Sequence, residues 1–169
     1  MHRGVSVYKK MKISIIAVGK IKEKFYRQAV EEYSKRLSAY CSLDITEIAD
    51  EKTPDRASAK EETMIKDTEG RRIEKAIPEG AWVIALALDG KMTDSPGLAD
   101  KIEKLTVGGK SHIVFIIGGS LGLSDEVLKK ADEKLSFSLL TFPHQLMRVI
   151  LLEQIYRSFR IIRGEPYHK

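Results

Sequence analysis

One cysteine, Cys41, stands in a chain of 169 residues. That excludes an internal disulfide framework and a cysteine-based metal cluster, and Cys41 is expected to be an inert small residue. No apolar run approaches the roughly 20 residues that cross a bilayer. No secretory apolar stretch follows the first basic residues. A cytoplasmic protein without membrane contact is the expectation. No internal repeat and no low-complexity segment is visible. Two nucleotide signatures are also missing: no G-x-G-x-x-G turn follows the first strand, and no Gly-Lys-Ser/Thr closes a phosphate loop.

What remains has an ordinary globular composition, 43% hydrophobic, with a formal charge of +5. The excess of cations leans modestly toward a polyanionic partner. The length fits one α/β domain, assigned to residues 11–169. Residues 1–10 read as a disordered N-terminal extension or an ordinary frayed end.

Ile13–Val18 is a nearly continuous apolar run, as in a strand covered on both faces. Lys22–Tyr40 carries Phe25, Ala29, Tyr33 and Leu37 at four-residue intervals, an amphipathic helix. Leu43–Ile48 alternates as a half-buried strand. Ala57–Ile77 reads as a charge-rich helix with a thin stripe of Met64, Ile65, Ile73 and Ile77, its charges solvated. Trp82–Leu88 is a second buried strand, ended by a loop at Asp89-Gly90-Lys91. Ser95–Leu105 reads as a helix capped by Ser95, with Pro96 in its first turn. Ile113–Ile117 is a third buried strand. A glycine turn follows, then a helix from Ser124. Leu135–Phe142 is strand-like, and the last helix runs from about His144 to Ile162. Such alternation gives an α/β fold with a mostly parallel sheet and helices on both faces.

The turn Gly118-Gly119-Ser120-Leu121-Gly122 directly follows the most hydrophobic run of the chain. A strand entering such a turn brings backbone close to a ligand, or simply makes a tight connection. The last helix is apolar around most of its circumference at about 100° per residue. One sheet covers only one side, so a second copy is expected to cover the rest. Arg148 falls on the face of Leu152 and Phe159. A charge there is costly unless used or paired. Two uses stay open, a salt bridge across an interface and a phosphate or substrate contact. The tail 163–169 concentrates tyrosine, histidine and cations suited to a base and its phosphate.

Several segments then meet. Ile116-Ile117-Gly118-Gly119-Ser120-Leu121-Gly122-Leu123 is followed by Ser138-Leu139-Leu140-Thr141-Phe142-Pro143-His144-Gln145-Leu146-Met147-Arg148-Val149. Glu153-Gln154-Ile155-Tyr156-Arg157 and the terminal Pro166-Tyr167-His168-Lys169 complete the set, and the start at Met11-Lys12-Ile13 fits as well. From Met11 to Lys169 the chain resembles the small SPOUT-class methyltransferases that modify a pseudouridine in large-subunit ribosomal RNA (the RlmH type). The resemblance implies a C-terminal trefoil knot, which fold rules alone argue against. It implies a homodimer with an active site shared between subunits, S-adenosylmethionine as methyl donor, and an assembled ribosome as substrate. It carries the donor site to Leu86, Gly118, Phe137, Ser138, Leu139, Leu140, Thr141 and Phe142. An adenine ring needs an apolar slot and a few backbone hydrogen bonds, which these segments can supply; core packing is the plainer use of Phe137 and Phe142.

The resemblance also makes the tail part of the active site. His168 or Tyr167 is expected to help remove the proton of the accepting nitrogen, since histidine titrates near neutrality. Arg148, with Arg157 or Arg160, is expected to hold phosphate or developing negative charge. In-line transfer from a sulfonium requires alignment and no metal. His112 is expected to be structural, and His144 to be either a helix-terminal residue or a neighbour of the donor. Two other readings stand beside this one: a SPOUT enzyme acting on transfer RNA, and a non-catalytic ribosome- or RNA-binding protein.

Overall fold

Buried residues alternate along the strands and divide between two layers. A computed structural model describes residues 11–168; the expectations for residues 1–10 and for Lys169 lie outside them. Five strands form one sheet: β1 (Lys12–Val18), β2 (Ser42–Ile48), β3 (Trp82–Met92), β4 (His112–Ile117) and β5 (Glu133–Ser136). Their order is β2-β1-β4-β3-β5 and every pairing is parallel. The helices are α1 (Lys24–Leu37), α2 (Ala59–Ala76), α3 (Ser95–Val107), α4 (Asp125–Lys130) and α5 (His144–Ile162).

Ile13, Ile15 and Ala17 of β1 join Ile113, Phe115 and Ile117 of β4 on one face. Leu37 of α1, Leu98 and Ile102 of α3, and Leu151, Ile155 and Phe159 of α5 cover it. Ile16, Val18, Val114 and Ile116 point to the other face, under Ile73 of α2 and Val127 of α4. Successive helices therefore alternate between the faces, because each crossover runs across the sheet in the direction opposite to the last and all are right-handed. All strands running one way brings their carboxyl ends to a single edge, where ligands of open α/β sheets bind.

Three local expectations are corrected. β3 does not stop at Leu88: it continues through Asp89-Gly90-Lys91, and its register against β5 shifts between Leu86 and Lys91. Gly90 permits this, because a Cβ there would lie 2.7 Å from the Leu135 carbonyl carbon. Asp94, not Ser95, caps α3, its carboxylate accepting from the Gly97 amide at 2.8 Å. In α2 the residues buried are Glu69, Gly70 and Ile73, while Met64 is 60% exposed. Among the described residues no helix is long and apolar enough to cross a membrane.

Candidate functional site

A cavity of about 420 Å³ opens at the carboxyl edge of β3, β4 and β5. Leu86, the turn 118–122, Phe137, Ser138, Leu140, Thr141 and Phe142 line it, with His144 and Met147 from the first turn of α5. Leu139 does not line it and is 76% exposed. The turn is fixed by its own backbone. Gly122 has φ +85° and donates to the Gly119 carbonyl at 3.1 Å. A Cβ on Gly118 would sit 2.8 Å from the Gly122 carbonyl carbon. One on Gly119 would meet Val18 at 3.1 Å and the Glu69 carboxylate at 3.3 Å. The segment after β5 is shaped by serines: the Ser136 hydroxyl donates to the Ser138 carbonyl, and the Leu140 amide donates to the Ser138 hydroxyl.

Two ionisable groups line the cavity. Asp89, on the rim, donates nothing and accepts from Lys134 at 2.8 Å, which lowers its pKa. His144 opens α5, one of its two expected placements, and its residue also lines the cavity. Burial lowers its pKa first, and the nearby Arg148 charge lowers it further. Glu69 lies beneath the glycine turn, 4% exposed, and burial raises its pKa although it accepts the Glu51 amide at 3.0 Å. Sequence reasoning gave Glu69 no role, because an acid in a charge-rich helix looks like any other.

Arg148 makes a salt bridge, as one of its two readings expects, but within its own chain. It is fully buried inside one chain and pairs with Glu47 of that same chain at 2.9 Å. Its second nitrogen donates to the Gly19 carbonyl at 3.1 Å. A guanidinium so enclosed reaches no phosphate without unpacking α5. Glu47 also accepts the Ile21 amide at 2.9 Å, and Gln145 accepts the Lys22 amide at 3.0 Å. Arg148 is thus the root of a bond set that fixes the loop after β1.

The tail is docked rather than frayed. Tyr40 donates to Glu165 at 2.7 Å, Arg160 pairs with Glu165, and Arg163 stacks over the Tyr40 ring at 4.4 Å. Tyr167 donates to Glu153 at 3.2 Å and meets the Tyr156 ring edge-on at 5.0 Å. Burial, and then the Glu153 charge, raise its pKa. Arg157, bonded to Glu153 at 2.6 Å, also approaches His168 Nδ1 at 3.1 Å. A guanidinium only donates, so Nδ1 here is the acceptor. None of the residues lining the cavity comes from this tail. His112 is structural as expected: Ser14 donates to Asp44 at 2.7 Å and shares a 2.7 Å contact with His112 Nε2. The serine sits between acid and imidazole and donates to the acid, so the serine–imidazole–acid order of a nucleophilic triad is not formed.

Residues 11–168 match the family described as predicted SPOUT methyltransferase. The chain is 60% identical over 159 residues to the ribosomal RNA large subunit methyltransferase H of Bacillus pumilus (strain SAFR-032), covering 94% of this chain and 100% of that one. Proteins of the same name from Clostridium kluyveri and Clostridium botulinum (strain Kyoto / Type A2) are 61% and 62% identical with the same coverage. Two solved structures share the fold at low identity. A probable methyltransferase from Bordetella pertussis Tohama I gives a TM-score of 0.55 at 10% identity, over 90% of this chain and 97% of that one. A probable methylase family protein from Haemophilus influenzae Rd KW20 gives 0.53 at 13%, over 96% and 71%.

Proposed function

The chain belongs to the SPOUT methyltransferase family, and from that premise we propose that it methylates N3 of a pseudouridine in large-subunit ribosomal RNA, using S-adenosylmethionine. Relatives about 60% identical along their whole length are named for large-subunit ribosomal RNA, which favours that substrate over transfer RNA. Family membership also implies the trefoil knot.

The observation that carries the reading is the cavity at the carboxyl edge. Its size lies in the range of small-molecule sites. Phe137, Phe142 and Met147 line it as apolar residues, and the turn 118–122 with Ser138, Leu140 and Thr141 lines it beside them. Those residues suit an adenosine ring and ribose, so they would hold the donor. When bound, S-adenosylmethionine supplies an electrophilic methyl group on a positive sulfur.

The chain's own residues supply the rest. Each tail lies away from its own cavity, which fits a homodimer in which one copy's tail serves its partner's cavity. His168 takes the N3 proton of the base once Arg157 has left Nδ1. Tyr167, held protonated by burial and Glu153, donates a hydrogen bond to a carbonyl of the base. The released Arg157 meets phosphate. Arg148 acts only through Gly19 and Glu47, as a positioning residue.

The test is incubation of the protein with tritiated S-adenosylmethionine and unmodified large ribosomal subunits, then mass-spectrometric mapping. Label at one N3-methylpseudouridine is expected. No transfer overturns the reading, and label on transfer RNA moves the substrate.

A further inference from the structure

Residues 20–27 carry a pattern that the methyl-transfer chemistry does not use. Lys20, Lys22 and Lys24 are exposed, and among the described residues none of them enters an ion pair. Phe25 beside them is 61% exposed, its ring tilted against Tyr26 at 4.4 Å. Glu23 is the one acid between positions 20 and 27. Solubility alone explains the lysines but not an uncovered phenylalanine among them.

The backbone that carries these side chains is held rigidly. Gly19 turns the chain at φ +93°, and its carbonyl accepts from the buried Arg148. The Ile21 amide bonds Glu47, the Lys22 amide bonds Gln145, and the Ile21 carbonyl accepts from Arg27 at 3.3 Å. Four side chains from β2, α1 and α5 therefore fix the backbone at Gly19, Ile21 and Lys22. A fully buried guanidinium is a costly way to hold a loop that has no task. The loop also borders the cavity: His144 Nε2 is 3.5 Å from where a Cβ on Gly19 would stand.

We propose that residues 20–27 are an RNA-docking arm at the cavity mouth, with Lys20, Lys22 and Lys24 on phosphates and Phe25 stacked on an unpaired base. Cations on a fixed loop lose little freedom on binding. An exposed aromatic among them is the pairing that single-stranded RNA binds. The inference rests on the proposed ribosomal RNA substrate, and it adds where that RNA is held.

The test compares wild type with Lys20→Ala/Lys22→Ala/Lys24→Ala, Phe25→Ala and Phe25→Trp. Affinity for isolated large ribosomal subunits is measured between low and moderate salt, alongside calorimetry with S-adenosylmethionine and circular dichroism. The triple variant is expected to bind subunits at least tenfold more weakly, and its log affinity against log salt to flatten by about two units, at roughly 0.7 per single-strand phosphate. Phe25→Ala loses about tenfold and Phe25→Trp is close to wild type. Donor affinity and the spectrum stay unchanged in all. Variants that bind and methylate as wild type does overturn the arm and leave the function standing. Weaker binding with an unchanged salt slope assigns the contact to ribosomal protein and also overturns it. A wild type that neither binds nor methylates subunits removes both readings.

Discussion

Arg148 and Glu47 form a pair whose two halves are unequal. The Arg148 side chain is 1% exposed and that of Glu47 39%. Removing Glu47 strands a buried charge, whereas removing Arg148 leaves a carboxylate that water can reach. Glu47→Ala is therefore expected to lower unfolding free energy by about 3 kcal/mol. Arg148→Met, similar in volume, should stay within about 1.5 kcal/mol of wild type while loosening the Gly19 loop and slowing methyl transfer. Urea denaturation of both variants checks this, and equal losses would contradict the asymmetry. Cys41 yields a second expectation at this scale. Burial pushes its thiol up to about 12, so it should ignore a thiol reagent at pH 8 until the chain is unfolded. Gly118 is a poor probe of donor binding, since any Cβ collides with the Gly122 backbone and the turn itself gives way.

The sequence points to the last helix as an interface because it is apolar nearly all round. The structure divides that circumference. Leu151, Leu152, Ile155 and Phe159 are fully buried within one chain, while Leu146, Val149 and Ile150 are half-buried on its outer side. Ile155→Asp should therefore abolish folding rather than dissociate a dimer. Ile150→Asp should leave a folded chain that light scattering reports at the mass of one copy; a folded dimer for Ile150→Asp would move the interface elsewhere. Legibility follows the same division. Apolar runs and four-residue periods depend on local pattern, so β1, β4 and α5 were readable to within a residue or two. The extension of β3 was not, because Asp89-Gly90-Lys91 has turn composition and its pairing with Leu135 is set by a distant strand. The cavity was legible where a glycine turn follows a buried strand. Burial of Glu69 and the partners of Arg148, Glu47 and the Gly19 carbonyl, were not, since both depend on which helix packs over which strand end.

At the scale of the whole molecule, two histidines lie near opposite edges of the sheet, and both are held away from the proton. Burial lowers His112 first and Lys12 adds to it, while Asp44 pulls the other way. His144 is lowered by burial, then by Arg148 and Lys22, against Asp50. A histidine whose folded pKa lies below its unfolded value stabilises the fold fully above about pH 6.5. That contribution is lost as the pH falls through the lowered folded value. Glu69 has the opposite sign: its raised pKa stabilises the fold below the ordinary glutamate value, and the benefit disappears as the pH rises through the folded one. The tail adds little to this balance, because deleting residues 167–169 leaves the Tyr40–Glu165–Arg160 cluster in place. The truncated chain should keep its thermal midpoint within a few degrees and its donor affinity, yet lose methyl transfer. The pH response should then separate by variant. Wild type is expected to lose thermal midpoint between pH 7 and 5.5, and His112→Gln/His144→Gln to lose much less. Glu69→Gln should gain midpoint at pH 8 and match wild type near pH 4, because it fixes the neutral form that the site prefers. A double histidine variant that loses as much midpoint as wild type from pH 7 to 5.5 would show that the two half-buried imidazoles carry no linkage.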